Sequence, residues 1–312
     1  MSLGLRDLPP PVISFAASDA TGGAGLQSDV LTLASMGCHP LSVLAAVIVS
    51  DTRGTEEVLA LDAEVVVAQA RALLEDIPVR AFKLGMVGSV ENVAAIAEVL
   101  SDYPDVPLVV EPSLSLLDGE DAGCEDMVCA LVELVLPQAQ VLVASRDEVR
   151  QLAAAVSAER LFADAGPAGE DDAATDLDAG FALPFDDEEP VADEGELSVD
   201  EAVSRLLGLG LGHVLLTGGG EPGPQLINVL IGPQGVVRTD GWERLPQRFL
   251  GAGATLAAGL AAALAQGMEM PEAVREAQEF TWQALAAAYR PGMGRAVPDR
   301  LFWARAEEAG DD

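Results

Sequence analysis

Apolar positions in this chain follow two rhythms. Short unbroken apolar runs alternate with longer stretches in which apolar residues return every three or four positions. The runs read as buried strands and the stretches as amphipathic helices. A first strand is expected over 11–17, followed by a helix over 25–36 that carries Leu26, Val30, Leu31 and Leu33 at helical spacing. Strands are expected next over 41–49, 79–84, 106–110 and 141–144, with helices over 62–75, 89–100, 121–136 and 147–156 between and after them. Asp62 stands where a helix cap belongs, and the 89–92 stretch approximates a capping box. After a break come a helix over 198–207, a strand over 214–217, a hairpin of strands 226–231 and 236–239, and helices over 256–266 and 271–289. Strand–helix alternation at this spacing predicts βαβ units and a mostly parallel sheet with helices on both faces.

Ligands in such sheets bind off the carboxyl ends of the strands. Four polar or glycine-rich words fall at that edge: Ser18–Gly25, Asp51-Thr52-Arg53-Gly54, Lys83-Leu84-Gly85-Met86 and Glu111-Pro112. A further glycine turn, Gly251-Ala252-Gly253-Ala254-Thr255, feeds the small-residue helix over 256–266. A glycine turn at a helix start leaves backbone N–H groups unpaired at the positive end of the dipole, which suits an anion such as a phosphate. The same word also serves as a plain tight turn before a core helix. The run Gly208-Leu209-Gly210-Leu211-Gly212 mimics a dinucleotide fingerprint, but it precedes a strand instead of following one, so it is rejected.

Composition narrows the picture. The 312 residues are 50% hydrophobic, enough for one large core, and no apolar run reaches membrane-spanning length. Acidic residues outnumber basic ones 51 to 17, a net charge of −34. Such a chain repels nucleic acid and anionic membranes, and its solvated acidic surface suits a salt-rich interior. Residues 158–201 hold sixteen of the acidic residues and one arginine, so 158–197 reads as a disordered acidic insertion, with tails at 1–10 and 304–312. Cys38, Cys124 and Cys129 have no metal-like spacing and His39 and His213 are the two histidines, which points to a reduced, cytoplasmic setting without zinc. Lys83 is the single lysine and sits at a strand end, which marks it for a local role.

Taken together, the words Ala16–Asp29, Asp51–Gly54, Lys83–Met86, Thr217-Gly218-Gly219 and Gly251–Leu256 resemble the hydroxymethylpyrimidine/phosphomethylpyrimidine kinases of thiamin synthesis, within the ribokinase-like family. The likeness spans 12–302 apart from the acidic insertion. It implies one three-layer α/β domain, ATP and Mg²⁺, and a homodimer. It further implies that Asp29, Gly22, Gly23, Ser50 and Met86 face the pyrimidine. Thr217, Gly219 and Lys83 would serve ATP, Gly251, Ala252, Gly253 and Ala254 the anion hole, and Glu148 and Glu111 the metal shell. Several positions depart from the family: its base, usually cysteine, is Ala254, its glutamine at the pyrimidine is Ser50, its Asn-x-x-Glu is Ser145-Arg146-Asp147-Glu148, its strand-end aspartate is Glu111, and its histidine before the anion turn is Leu250. A methyl group takes no proton. Two other readings therefore stand beside the kinase: a pseudoenzyme that binds nucleotide or pyrimidine as a sensor or partner, and a kinase for another hydroxylated small molecule.

Overall fold

The computed structural model describes residues 8–114, 122–156, 197–219 and 223–305. The expected acidic insertion, apart from Leu197, and most of both tails lie outside them. In chain order the elements are β1 (Pro11–Asp19), α1 (Gly25–Ser35), β2 (His39–Ser50), β3 (Thr55–Ala60), α2 (Ala63–Asp76), β4 (Ala81–Leu84), α3 (Val90–Ser101) and β5 (Leu108–Val110). They continue with α4 (Ala122–Ala130), β6 (Val141–Ser145), α5 (Arg146–Ala154), α6 (Val199–Leu207), β7 (Val214–Gly219), β8 (Gln225–Gly232) and β9 (Gly235–Glu243). The chain closes with α7 (Ala252–Ala265), α8 (Met270–Ala286) and the short α9 (Phe302–Arg305). Two compact units emerge, Met1–Asp118 with Leu245–Asp312, and Gly119–Arg244.

In the first unit the strand order is β3-β2-β1-β4-β5. β2, β1, β4 and β5 run parallel, and β3 adds an antiparallel edge. β1 is buried along nearly its whole length, as a strand covered on both faces must be. α7 packs on both α1 and α8, and α2 packs on α3. α7 is Ala-, Gly- and Leu-rich with almost no exposed position, because a helix without a polar stripe gains stability only when surrounded. Asp62 caps α2 at the Glu64 N–H, as expected, and Ser89 caps α3 at the Asn92 N–H. The sequence pattern predicts no element between 54 and 62, yet β3 forms there. Its residues are mostly exposed, so its ladder with β2 defines it and no apolar alternation announces it.

In the second unit β6 and β7 are parallel, and β8 and β9 continue antiparallel. The hairpin is longer than expected, paired from Gln225↔Glu243 to Gly232↔Gly235. The helix expected over 121–136 is not continuous. α4 stops at Ala130, a π turn spans Leu131–Val135, and a 3₁₀ turn spans Leu136–Gln138. Pro137, which lacks an N–H, stands in that last turn and prevents a regular helical ending.

Candidate active site

The two glycine words belong to one unit and touch. In the first, the Asp19 carboxylate organises the turn between β1 and α1. Its Oδ1 accepts from the Thr21 N–H at 3.0 Å and the Ser50 hydroxyl at 2.9 Å. Its Oδ2 accepts from the Thr21 hydroxyl at 2.7 Å and the Ala24 N–H at 2.9 Å. Ser50, expected at the pyrimidine, thus donates its proton to the turn. Met86 packs with Ala17, Ala46 and Ile48 in a small apolar cluster beneath it.

The second word begins one turn earlier than the periodicity implies. Gly251 is the N-cap of α7 with φ 78°, so Ala252, Gly253 and Ala254 form the first helical turn. Their N–H groups have no intrahelical acceptor. A Cβ at 251 would collide with the carbonyl oxygen of Gly23, and a Cβ at 23 would collide with the Leu250 side chain, so the two words pack with no room for side chains between them. Beyond them lies a buried charge cluster. Lys83, 1% exposed, donates to Asp29 Oδ2 at 3.0 Å and stands 4.0 Å from Glu111. Ser14 donates to the same Asp29 oxygen. Asp29 is fully buried, where it holds Lys83. Glu111 accepts from Ser113 at 2.8 Å, and its Oε1 lies 2.8 Å from where a Cβ on Gly253 would be. A cation, a carboxylate and a helix N-terminus therefore meet at the start of α7.

Two arginines escaped the sequence reading. Arg300, 2% exposed, donates through Nε to Thr255 Oγ1 at 3.1 Å, and through its terminal nitrogens to the carbonyls of Gly22 at 3.3 Å and Gly23 at 2.6 Å. Thr255 passes the contact on to the Gly251 carbonyl at 2.8 Å. Burial pushes the Arg300 guanidinium down to about 10, against the pull of the Asp29, Tyr289 and Asp19 charges. Arg295 lines a small pocket with Asp19, Ile48, Ser50 and Leu250, and its buried Nε has no hydrogen-bond partner among the described residues. A larger cavity of about 310 Å³ runs alongside, bordered by Thr21, Asp51, Thr52, Arg53, Pro291 and Met293. No helical or strand period marks either arginine, because both sit in the irregular segment after α8.

Glu148, Thr217 and Gly219 lie in the second unit. Ser145 and Glu148 form a capping box at the start of α5: Glu148 Oε2 accepts the Ser145 N–H at 2.9 Å and hydroxyl at 2.8 Å. The serine that replaces the family's asparagine thus has a local use that Ser-x-x-Glu spacing could have revealed. Thr217 ends the parallel part of β7 and donates to the Ala144 carbonyl at 3.2 Å. Gly218 donates its N–H to Asn228 at 3.0 Å, and Gly219 pairs with Ile227. Among the described residues no group of three or more His, Cys, Asp or Glu could hold a metal ion. Glu111 in the first unit and Glu148 in the second each offer one carboxylate, and one carboxylate can serve Mg²⁺ only when phosphates and water complete its shell. No helix among the described residues is long and apolar enough to cross a membrane.

The sequence model described as phosphomethylpyrimidine kinase matches residues 19–167 and 189–299, skipping part of the acidic segment. A hydroxymethylpyrimidine/phosphomethylpyrimidine kinase of Streptomyces coelicolor is 30% identical over 303 residues, covering 96% of this chain and 97% of that protein. The solved phosphomethylpyrimidine kinase of Clostridium difficile superposes with a TM-score of 0.63 at 25% identity, over 88% of this chain and 99% of the other. Pyridoxal kinase of Staphylococcus aureus, solved with AMP-PCP and pyridoxal, superposes with a TM-score of 0.72 at 23% identity, over 95% of each chain, and shares the fold.

Proposed function

The chain belongs to the phosphomethylpyrimidine kinase family, and we propose that it transfers the γ-phosphoryl group of ATP to 4-amino-5-hydroxymethyl-2-methylpyrimidine and its monophosphate, yielding the diphosphate used in thiamin biosynthesis. The observation that carries this reading is the first turn of α7, with unpaired N–H groups locked against the Gly22–Gly23 turn. Backbone donors fixed where charge develops stabilise a transferring phosphoryl group without reorganising. In the second step a phosphate oxygen of the monophosphate attacks the γ-phosphorus, the bond to the β,γ-bridging oxygen breaks, and ADP leaves. That nucleophile is already largely deprotonated at neutral pH, so Ala254 costs this step little. The first step must move a hydroxyl proton, and a missing base typically costs about 10²–10⁴-fold.

Bound Mg²⁺ would neutralise phosphate oxygens, and Glu111 and Glu148 are each a candidate carboxylate for its water shell. Nucleotide use finds support in the ligand of the S. aureus neighbour. One kinase domain over 12–302 finds support in a family match that includes residues of both units. A cytoplasmic setting agrees with the free thiols of Cys38 and Cys129. Homodimer formation would cover Val47, Val49 and Leu59, exposed apolar residues on β2 and β3. The binding-only alternative gains nothing from the comparisons, in which the relatives of Streptomyces coelicolor and Rhizobium meliloti are named as kinases.

The test is diphosphate formation from ATP and the monophosphate with Mg²⁺, for the parent chain and Ala254→Cys. The parent should turn over the monophosphate. Ala254→Cys should raise turnover of the alcohol more than that of the monophosphate. ADP formation from neither substrate by either protein would overturn the reading.

A further inference from the structure

Arg300 is a buried cation that makes no ion pair among the described residues and spends its guanidinium on three neutral acceptors. Burying a charge without a carboxylate partner is costly, and folds keep such a group when its fork-shaped donors are needed together. Two of its nitrogens hold the carbonyls of Gly22 and Gly23, and the third holds the Thr255 hydroxyl in the first turn of α7. Thr255 in turn grips the carbonyl of Gly251, the left-handed cap. One side chain therefore ties both glycine words from behind. Its own position is fixed, because Ser35 at the end of α1 donates to the Arg300 carbonyl at 2.6 Å. The bridge spans the two pieces of backbone that must keep their spacing if a substrate on one is to meet the phosphoryl group on the other.

We propose that Arg300 is a positioning residue for phosphoryl transfer, setting the distance between the Gly22–Gly23 turn and the α7 N-terminus without touching substrate. The proposal rests on the kinase reading above. Reacting groups must be held to within a fraction of an ångström, and a displacement of about 1 Å can cost about 10²-fold in rate. Lysine would keep the charge but could not bridge three acceptors in one plane.

The experiment uses the full chain with Arg300→Ala and Arg300→Lys, read by kcat and KM for the pyrimidine monophosphate and ATP, with ethylguanidinium added back. For Arg300→Ala, kcat should fall about hundredfold while KM for ATP stays within about twofold, and ethylguanidinium should restore about tenfold, which a merely unstable protein would not show. Arg300→Lys should resemble the alanine variant. A parallel measurement takes ADP alone and ADP with aluminium fluoride, a mimic of the transferring phosphoryl group. Arg300→Ala should lose affinity for the second and keep it for the first. A parent that binds the mimic but turns over no pyrimidine would sink the substrate assignment and leave the Arg300 comparison intact. Unchanged kcat and unchanged affinity for the mimic, or an activity loss that only tracks the folded fraction with no rescue by ethylguanidinium, would overturn the proposal.

Discussion

Two glycine-rich runs in this chain read alike and do opposite things. Gly208–Gly212 ends a helix: Gly208 caps α6, Gly210 turns through φ 97° where an added Cβ would make only ordinary contact with the Pro137 carbonyl oxygen, and Gly212 lies against the backbone of Gln140. Gly251–Gly253 starts a helix: Gly251 turns through φ 78° against the Gly23 carbonyl, and Gly253 faces the Glu111 carboxylate. The first run presents the carbonyl end of a helix and the second the amide end, so only the second attracts an anion. What separates them is which helix end they serve and what closes around them. Glycine spacing alone does not say.

The sharpest break of that contrast is Gly251→Ala. A left-handed alanine costs about 1–2 kcal/mol, and its methyl must push the Gly23 turn away. Turnover should drop at least about 10²-fold through the displaced turn, measured by ADP release under saturating substrates. An active Gly251→Ala would mean that the two turns need not touch. Gly253→Ala is gentler, because its methyl meets only the end of the Glu111 side chain. About a tenfold loss in kcat is expected, equivalent to about 1.4 kcal/mol of transition-state stabilisation. Arg295→Met should leave kcat nearly unchanged and raise KM for the pyrimidine about tenfold, since it removes the donor in the Ser50 pocket that has no hydrogen-bond partner among the described residues. Equal effects on KM for ATP would place Arg295 elsewhere. The smallest effect belongs to the other run. Gly210→Ala should cost about 1 kcal/mol, or about 2 °C in Tm, with kcat and KM intact. Lost activity there would erase the distinction between the runs.

Much of the architecture was legible because parallel strands covered on both faces are buried almost throughout and mostly apolar, as β1 and β4 are apart from polar positions such as Ser14 and Lys83. β3 was not legible, since an exposed edge strand borrows its hydrogen bonds from a neighbour and needs no pattern of its own. The irregular end of the α4 segment was misread for a related reason: its apolar residues keep a helical rhythm while the backbone shifts to π and 3₁₀ turns.

The same division runs through the candidate site. The sequence by itself determined the glycine words, the single lysine at a strand end and the substitution of alanine at 254, because residue type and local spacing suffice to show them. Only the tertiary structure decided that Asp29 serves Lys83, that Ser50 is spent on Asp19, and that Arg300 ties the two words together. Those facts depend on contacts between residues up to 278 positions apart, such as Arg300 on Gly22. Local periodicity carries no information about such pairs. Packing alone brings them within hydrogen-bond distance.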